Sequence, residues 1–499
     1  MNNKLEEYYK IQKELNAYRY AMNIISWDAE TEAPKMSHSY RGEQIAILSE
    51  KTLECKLSEK RQSIVNELFE NRDQLSDTER RMIEISKKEL DQTLKIPTEE
   101  QVEYSKLISD SQNVWTDAFH NDDYPAFKDS LAKIIETQQK FMKYRETEEI
   151  KGYNVLLDDF EEGMTIDDYE NFFGTLKRDL VPFVKEVLSK GNENRPSIDG
   201  IKFSVEKQKE FCDYLMDVFA FDRDRGLIKE SVHPFTWGQS TDDIRFTVKY
   251  LDDLLPSAIY SAAHELGHAL YEQQIDPKYN GTNLGSGVSS GIHEAQSRFY
   301  ENNIARSRIF LETHYPKLQE LYSEELTDIT AEDFYMICNE AKADFIRIEA
   351  DELTYCLHIM VRYEIEKLLF SGGVNIEELP TVWNNMMEEY LGITPKSNSE
   401  GILQDIHWSC GLFGYFPTYA LGSAIACQID NTMRKEINVD QIIASGNLKE
   451  INLWLADKFH QHGSLKTPNQ LLIEVTGEKL NPKYYVEYLI AKYTDLYFH

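Results

Sequence analysis

Glycine and proline are scarce, 23 and 14 in 499 residues. So few turn-formers argue against an architecture of many short strands and favour long helices. The six cysteines (Cys55, Cys212, Cys338, Cys356, Cys410 and Cys427) include no Cys-x-x-Cys pair. That argues against both a thiolate zinc site and a disulfide framework, and leaves them as small buried hydrophobes. No stretch approaches the ~20 apolar residues that a membrane-spanning helix needs. The N-terminal Met1-Asn-Asn-Lys-Leu-Glu-Glu-Tyr8 lacks a signal peptide's apolar core, so the expected location is the cytoplasm. Basic residues are also few: 54 against 86 acidic ones, a net charge of -32. Such a surface repels phosphate backbones and anionic lipid, so neither nucleic acid nor membrane is an expected partner. Its acidity reads as solubility.

What is present is helical pattern. The first ~230 residues read as successive amphipathic helices by their apolar spacing. Ser76 and Glu79 make a capping-box pattern, after which Ile83, Leu90 and Leu94 share a face as far as Leu94. Lys95-Ile-Pro97 stops that helix and Thr98-Glu-Glu starts the next, which predicts a hairpin of the two. Similar runs cover roughly 125–147, 166–189 and 204–219. Strand character is confined to 242–250, where Ile244, Phe246 and Val248 alternate with polar neighbours. A long helix follows from Leu254 to Gln274, then a Gly/Ser-rich loop over 281–291, then helix from Ile292. No linker divides the chain. The expected fold is all-α, one domain over 1–499 with a small β element beside the active site. Two lobes would flank a deep substrate cleft, with the N-terminal helices as its wall or lid.

His264-Glu-Leu-Gly-His268 has the His-Glu-x-x-His spacing of a zinc site. Four residues apart on a helix, both imidazoles face one way and can reach a single cation. Glu265 then sits beside the metal without ligating it, able to take a proton from water held there. Ala262, Ala263, Leu266 and Ala269 give this helix a close-packed back. Glu294, 26 residues after His268, would complete three protein ligands and leave one position for water. That open site is the catalytic form; Glu272 and Glu301 are the other acidic side chains able to be the third ligand. The bland alternative is a pair of helical histidines with no metal. Glycines 285, 287 and 291 are expected to leave room for a peptide backbone.

Beyond these residues, the chain resembles the carboxypeptidase Taq family of metallocarboxypeptidases along its whole length. The resemblance rests on blocks in the family's order: His233-Pro-Phe235, Asp243-Ile-Arg-Phe-Thr247, the zinc motif, His293-Glu-Ala-Gln296 and Ile346-Arg-Ile-Glu-Ala-Asp351. Gly401-Ile-Leu-Gln-Asp-Ile-His-Trp408, Phe413-Gly-Tyr-Phe-Pro-Thr-Tyr419, Trp27-Asp28 and Thr31 to Pro34 extend it. Ala33 and Ala295 depart from the usual family residues at positions read as packing. The family's third ligand falls on Glu294, so the implied metal set is His264, His268 and Glu294. The resemblance implies one Zn2+ per chain (Co2+ or Mn2+ as substitutes) and a homodimer. It implies removal of single residues from peptide C-termini with broad tolerance, by Glu265-assisted attack of water.

The wider group of helical peptidases with this motif uses a His followed by a Tyr to assist the oxyanion, which points to His407 and Tyr419, with Tyr415 in reserve. A terminal carboxylate calls for a planar guanidinium, and Arg347 and Arg245 stand in family blocks. Arg347 could instead pair with Asp344 and Asp351 along a helix, and Arg245 with Asp243. His233 is a further candidate for the substrate pocket, and His293 for support of the metal ligands. The rival activities are an oligoendopeptidase cutting inside short peptides and a catalytically silent, zinc-stabilised scaffold. Glu265 argues against the latter, since a structural site has no use for a base there.

Overall fold

Helical pattern becomes helix through most of the computed structural model, which describes residues 2–193 and 195–499. The helix Asp77–Leu94 starts with the expected capping box: Ser76 Oγ accepts from the Glu79 N–H, and the Glu79 carboxylate from the Ser76 N–H. The box satisfies donors that the first turn leaves orphaned. Ile83 and Leu90 are buried, whereas Leu94 in the last turn is exposed. The next helix, Thr98–Asn121, does not form the expected hairpin with it and packs along Tyr124–Arg145 instead. Proline sets the direction: Pro97 holds an extended backbone (φ -56°, ψ 136°) that carries the chain away. Cys212, Cys338, Cys356 and Cys427 are buried, Cys55 and Cys410 half-buried, and all six are free.

The one sheet among the described residues has three strands, β1 (Gly226–Glu230), β2 (Thr236–Ser240) and β3 (Asp243–Val248), in the order β1-β3-β2. β3 runs parallel to β1 and antiparallel to β2, with Thr236 opposite Phe246. Ile244, Phe246 and Val248 are buried, as their alternation predicts, and the sheet packs on the helix that carries the histidine motif. From the N-terminal helix, the buried Trp27 packs edge-on against Phe235, centroids 5.4 Å apart.

Three helices meet at the motif. Leu255–Gln273 carries His264 and His268; Ser290–Arg298 carries Glu294 and continues as a π-helical stretch, Phe299–Ala305; Phe416–Glu436 carries Tyr419. They cross too closely for side chains at the crossing points. A Cβ on Gly267 would lie 2.6 Å from the Gln296 carbonyl oxygen, and one on Gly422 would lie 2.4 Å from Glu294 Cγ. Ser289 caps the Glu294 helix by accepting from the Ile292 N–H. Glu161, 1% exposed, anchors the same turn, accepting from the Ser289 hydroxyl at 2.8 Å and the Gly291 N–H at 2.9 Å.

Two expectations follow. Gly267→Ala and Gly422→Ala should each lose about 1–3 kcal/mol in urea unfolding, since overpacking must move helix backbone; an unchanged midpoint in either would contradict the crossing. Burial raises the Glu161 pKa from 4.5 to about 7 despite its two hydrogen bonds. Folding therefore favours the protonated form, so this contribution is full below pH ~4.5 and is lost as pH rises through ~7. Glu161→Gln keeps the acceptor and should flatten the decline in stability measured between those values. An unaltered slope would disprove the titration.

Candidate metal centre

The close helix crossing brings Glu294 to face the two histidines. Among the described residues, His264, His268 and Glu294 are the group whose donor atoms can share a cation, all lying within 4.8 Å of one another. Glu294 Oε2 stands 3.7 Å from His264 Nε2 and 3.5 Å from His268 Nε2. Zinc bonds of ~2.0–2.1 Å in tetrahedral geometry set ligand atoms about 3.4 Å apart, so the donor set fits a divalent cation with small adjustment.

The support behind these atoms explains their orientation. Glu301 Oε2 meets His264 Nδ1 at 2.9 Å; a carboxylate can only accept, so Nδ1 carries the proton and the Nε2 lone pair faces Glu294. Arg298 donates from Nε to Glu294 Oε1 at 2.7 Å and from Nη1 to Glu301 Oε2 at 3.0 Å. Burial pushes both carboxyls up, but Arg298 and the imidazoles outweigh it and hold them well below the usual carboxylate range. With Oε1 taken by Arg298, Glu294 leaves Oε2 toward the two histidines. Burial lowers the His268 pKa to about 3, so its ring is the neutral form that ligates metals. Glu272 and Glu301, the alternative third ligands, lie outside the donor triangle: Glu301 supports His264 and Glu272 faces His293.

Glu265 is 5% exposed and lines a cavity of about 810 Å³ together with His264, His268 and Glu294. Its Oε2 accepts from Thr236 Oγ1 at 2.6 Å, and burial raises its pKa. Thr236 follows the His233-Pro-Phe235 block directly but carries no signal in the sequence, because its contact depends on β2 pairing with β3 over the motif helix. The helix Asp77–Leu94 contributes Arg81, Ile85 and Lys88 to the cavity wall. His293 lines the same cavity, its ring 4.6 Å from that of His268.

The remaining predicted residues divide. Tyr415 and Tyr419 line the cavity, with ring centroids 5.1 Å apart. His407 stands behind them, its Nε2 3.5 Å from the Tyr419 hydroxyl, and burial lowers its pKa to about 4. The segment is anchored by the buried Glu366, which accepts from the Gly414 N–H at 2.7 Å and Trp408 Nε1 at 2.8 Å.

Neither arginine lines the cavity. Arg245 is held by both oxygens of Asp243, at 2.7 and 2.9 Å, and lies 5.8 Å from the Trp27 ring as a brace. Arg347 makes no pairing with Asp344 or Asp351, because it sits in a short turn and the helix begins only at Tyr355. Its Nε and Nη2 donate to Asp405 Oδ1 at 3.0 and 2.8 Å, and Arg362 holds the other Asp405 oxygen. His233 is exposed and contributes its carbonyl to a turn, accepting from the Ser231 hydroxyl at 2.6 Å, while Pro234 and Phe235 reach the cavity. Glycines 285, 287 and 291 make room for the protein's own groups: Cβ atoms there would lie 2.6 Å from the Tyr279 carbonyl, 2.5 Å from His293 Cδ2 and 2.6 Å from Glu161 Oε2.

Known proteins share this chain from end to end. The family model described as carboxypeptidase Taq (M32) metallopeptidase matches residues 7–493. Carboxypeptidase 1 of Bacillus subtilis is 40% identical over 493 residues, covering 99% of this chain and 98% of its own. Thermostable carboxypeptidase 1 of Pyrococcus furiosus is 35% identical over 491 residues, 96% of each chain. The structure of Trypanosoma cruzi metallocarboxypeptidase 1 superposes with a TM-score of 0.94 at 33% identity, covering 100% of both chains. A match of that extent accounts for the sequence blocks scattered from Trp27 to Tyr419, and the chain belongs to the carboxypeptidase Taq (M32) metallopeptidase family as a metallocarboxypeptidase.

Proposed function

We propose that this metallocarboxypeptidase is a zinc enzyme that removes single residues from peptide C-termini, with Glu265 as its general base. The convergence of His264, His268 and Glu294 beside a buried Glu265 in the large cavity carries the reading. Zinc when bound polarises a peptide carbonyl and makes water acidic enough to lose a proton near neutral pH. Glu265 receives that proton; its burial and raised pKa make it a stronger base than an exposed glutamate. Thr236 Oγ1 fixes the carboxylate's rotation through Oε2. Carrying the proton, Glu265 returns it to the departing amine.

Tyr419 is proposed to donate its hydroxyl to the developing oxyanion, with Tyr415 beside it. The neutral His407 ring orients that hydroxyl from behind. Arg347 is the proposed partner of the terminal carboxylate: among the described residues its Nη1 has no hydrogen-bond partner, and its guanidinium lies 5.3 Å from the Tyr419 ring. Arg362 retains Asp405 when Arg347 turns to substrate. Arg245 and the His233 turn are proposed to shape the pocket through Trp27 and Phe235.

The chain is read as one catalytic domain whose N-terminal helices wall the cleft, working as a homodimer on cytoplasmic peptides. No described helix is long and apolar enough to cross a membrane. Cobalt or manganese suits the same ligands, and supply can outweigh affinity.

Mass spectrometry of an N-terminally blocked peptide tests the activity. The zinc-loaded protein should shorten it one C-terminal residue at a time, and Glu265→Gln should slow this about 10²–10⁴-fold. A C-terminally amidated peptide should resist. Internal cuts, or equal cleavage of the amide, would replace this reading with an oligoendopeptidase.

A further inference from the structure

The two candidate ligand histidines are supported differently. His264 has its carboxylate, Glu301, directly on Nδ1. His268 has instead a second imidazole: its Nδ1 lies 2.6 Å from His293 Nδ1, and His293 Nε2 lies 2.9 Å from Glu272 Oε1. The carboxylate at the far end sets the direction of the chain. Glu272 only accepts, so it selects the His293 tautomer with the proton on Nε2 and a lone pair at Nδ1. The proton between the rings then belongs to His268 Nδ1. That leaves His268 Nε2 bare, 3.5 Å from Glu294 Oε2.

The scaffold around these groups is fitted to them. Glu272 Oε1 also accepts the Gly287 N–H at 3.1 Å, which ties it to the glycine-rich loop. A side chain at position 287 would meet His293 Cδ2 at 2.5 Å and Tyr271 Cε1 at 2.7 Å, so that glycine is the slot that admits the ring. Glu272 is 11% exposed and His293 27%, which limits competition by water.

We propose that His293 and Glu272 act as one positioning unit, which selects the tautomer and rotation of His268 that present Nε2 to a divalent cation. The proposal rests on His264, His268 and Glu294 being the metal ligands. Without Glu272, the His293 proton is free to move to Nδ1, where it opposes the His268 Nδ1–H and drives the latter's proton onto Nε2. Without His293, Glu272 has nothing through which to act. Each residue therefore needs the other.

Zinc affinity of the full-length protein, measured by competition with a chromophoric chelator, tests the unit without reference to peptidase activity. His293→Ala and Glu272→Ala should each weaken zinc binding about 10–100-fold, the effect usual for outer partners of a ligand histidine. The double variant should bind no more weakly than the worse single one, because the pair works as a unit. Glu272→Gln keeps an oxygen that accepts from His293 Nε2–H and should retain most of the affinity. Circular dichroism of the metal-free proteins should remain that of the wild type; if alanine at 272 unfolds the chain, Glu272→Leu carries the same expectation. Normal affinity in the single variants, or additive losses in the double one, overturns the unit alone. A wild type that binds no zinc, or whose binding survives His264→Ala, overturns the ligand assignment and the unit with it.

Discussion

The site depends on the ion pairing of Arg298 with two buried carboxylates. Glu294 and Glu301 are 7% and 8% exposed, and a buried charge left unpaired costs several kcal/mol. Arg298 stands four residues after one and three before the other, so helical spacing lets a single guanidinium reach both. Its own face rests 4.6 Å from the Tyr355 ring. The pairing, joined at Glu301 by Arg306, keeps both groups ionised; Glu294 Oε2 is left toward both histidines, and Glu301 Oε2 accepts from His264 as well as from Arg298. Past Arg298 the helix loosens into its π-helical stretch, a feature that recurs near functional sites, and Glu301 lies within it.

Local spacing was legible in the chain. The four-residue interval of His264 and His268, the Ser76–Glu79 box and the alternation through β3 each follow from one element's geometry. Glu294 is narrower ground: its place at the start of the next helical run favours it, Glu272 and Glu301 stay open as alternatives, and the resemblance to the family points to Glu294 as well. Both rivals stand behind histidines of the site, Glu301 at His264 and Glu272 at His293, so acidity near the motif is a sound signal whose role needs three dimensions to resolve. Spacing allows Arg347 to pair with Asp344 and Asp351 along a helix, yet the chain turns there and Asp405, 58 residues on, becomes its partner. Thr236 and Glu161 left no trace, since each acts through a pairing between distant segments. The missing hairpin is the converse case. A stop and a start signal say that two helices end and begin, and nothing about the angle between them.

The polar groups at the centre are thus arranged by apolar packing around them. Ala262, Ala263, Leu266 and Ala269 are wholly buried behind the motif, and the sheet covers the side from which Thr236 reaches Glu265. His264, Glu265 and His268 share one helix, so displacement of that helix moves those three together, whereas Glu294 rides on the next. Tyr419 rides on a different helix, joined to the first through the Glu294 crossing.

Gly267 and Gly422 let three backbones approach closely enough that the spacing of the donor atoms is a property of helix packing. In small zinc domains the cation itself folds the chain, and metal binding carries the free energy of folding. Here the distances between His264, His268 and Glu294 are set by crossings of helices built from protein alone. A change anywhere in those crossings, however far from the polar groups, is therefore a change in the size of cation that the three side chains could hold.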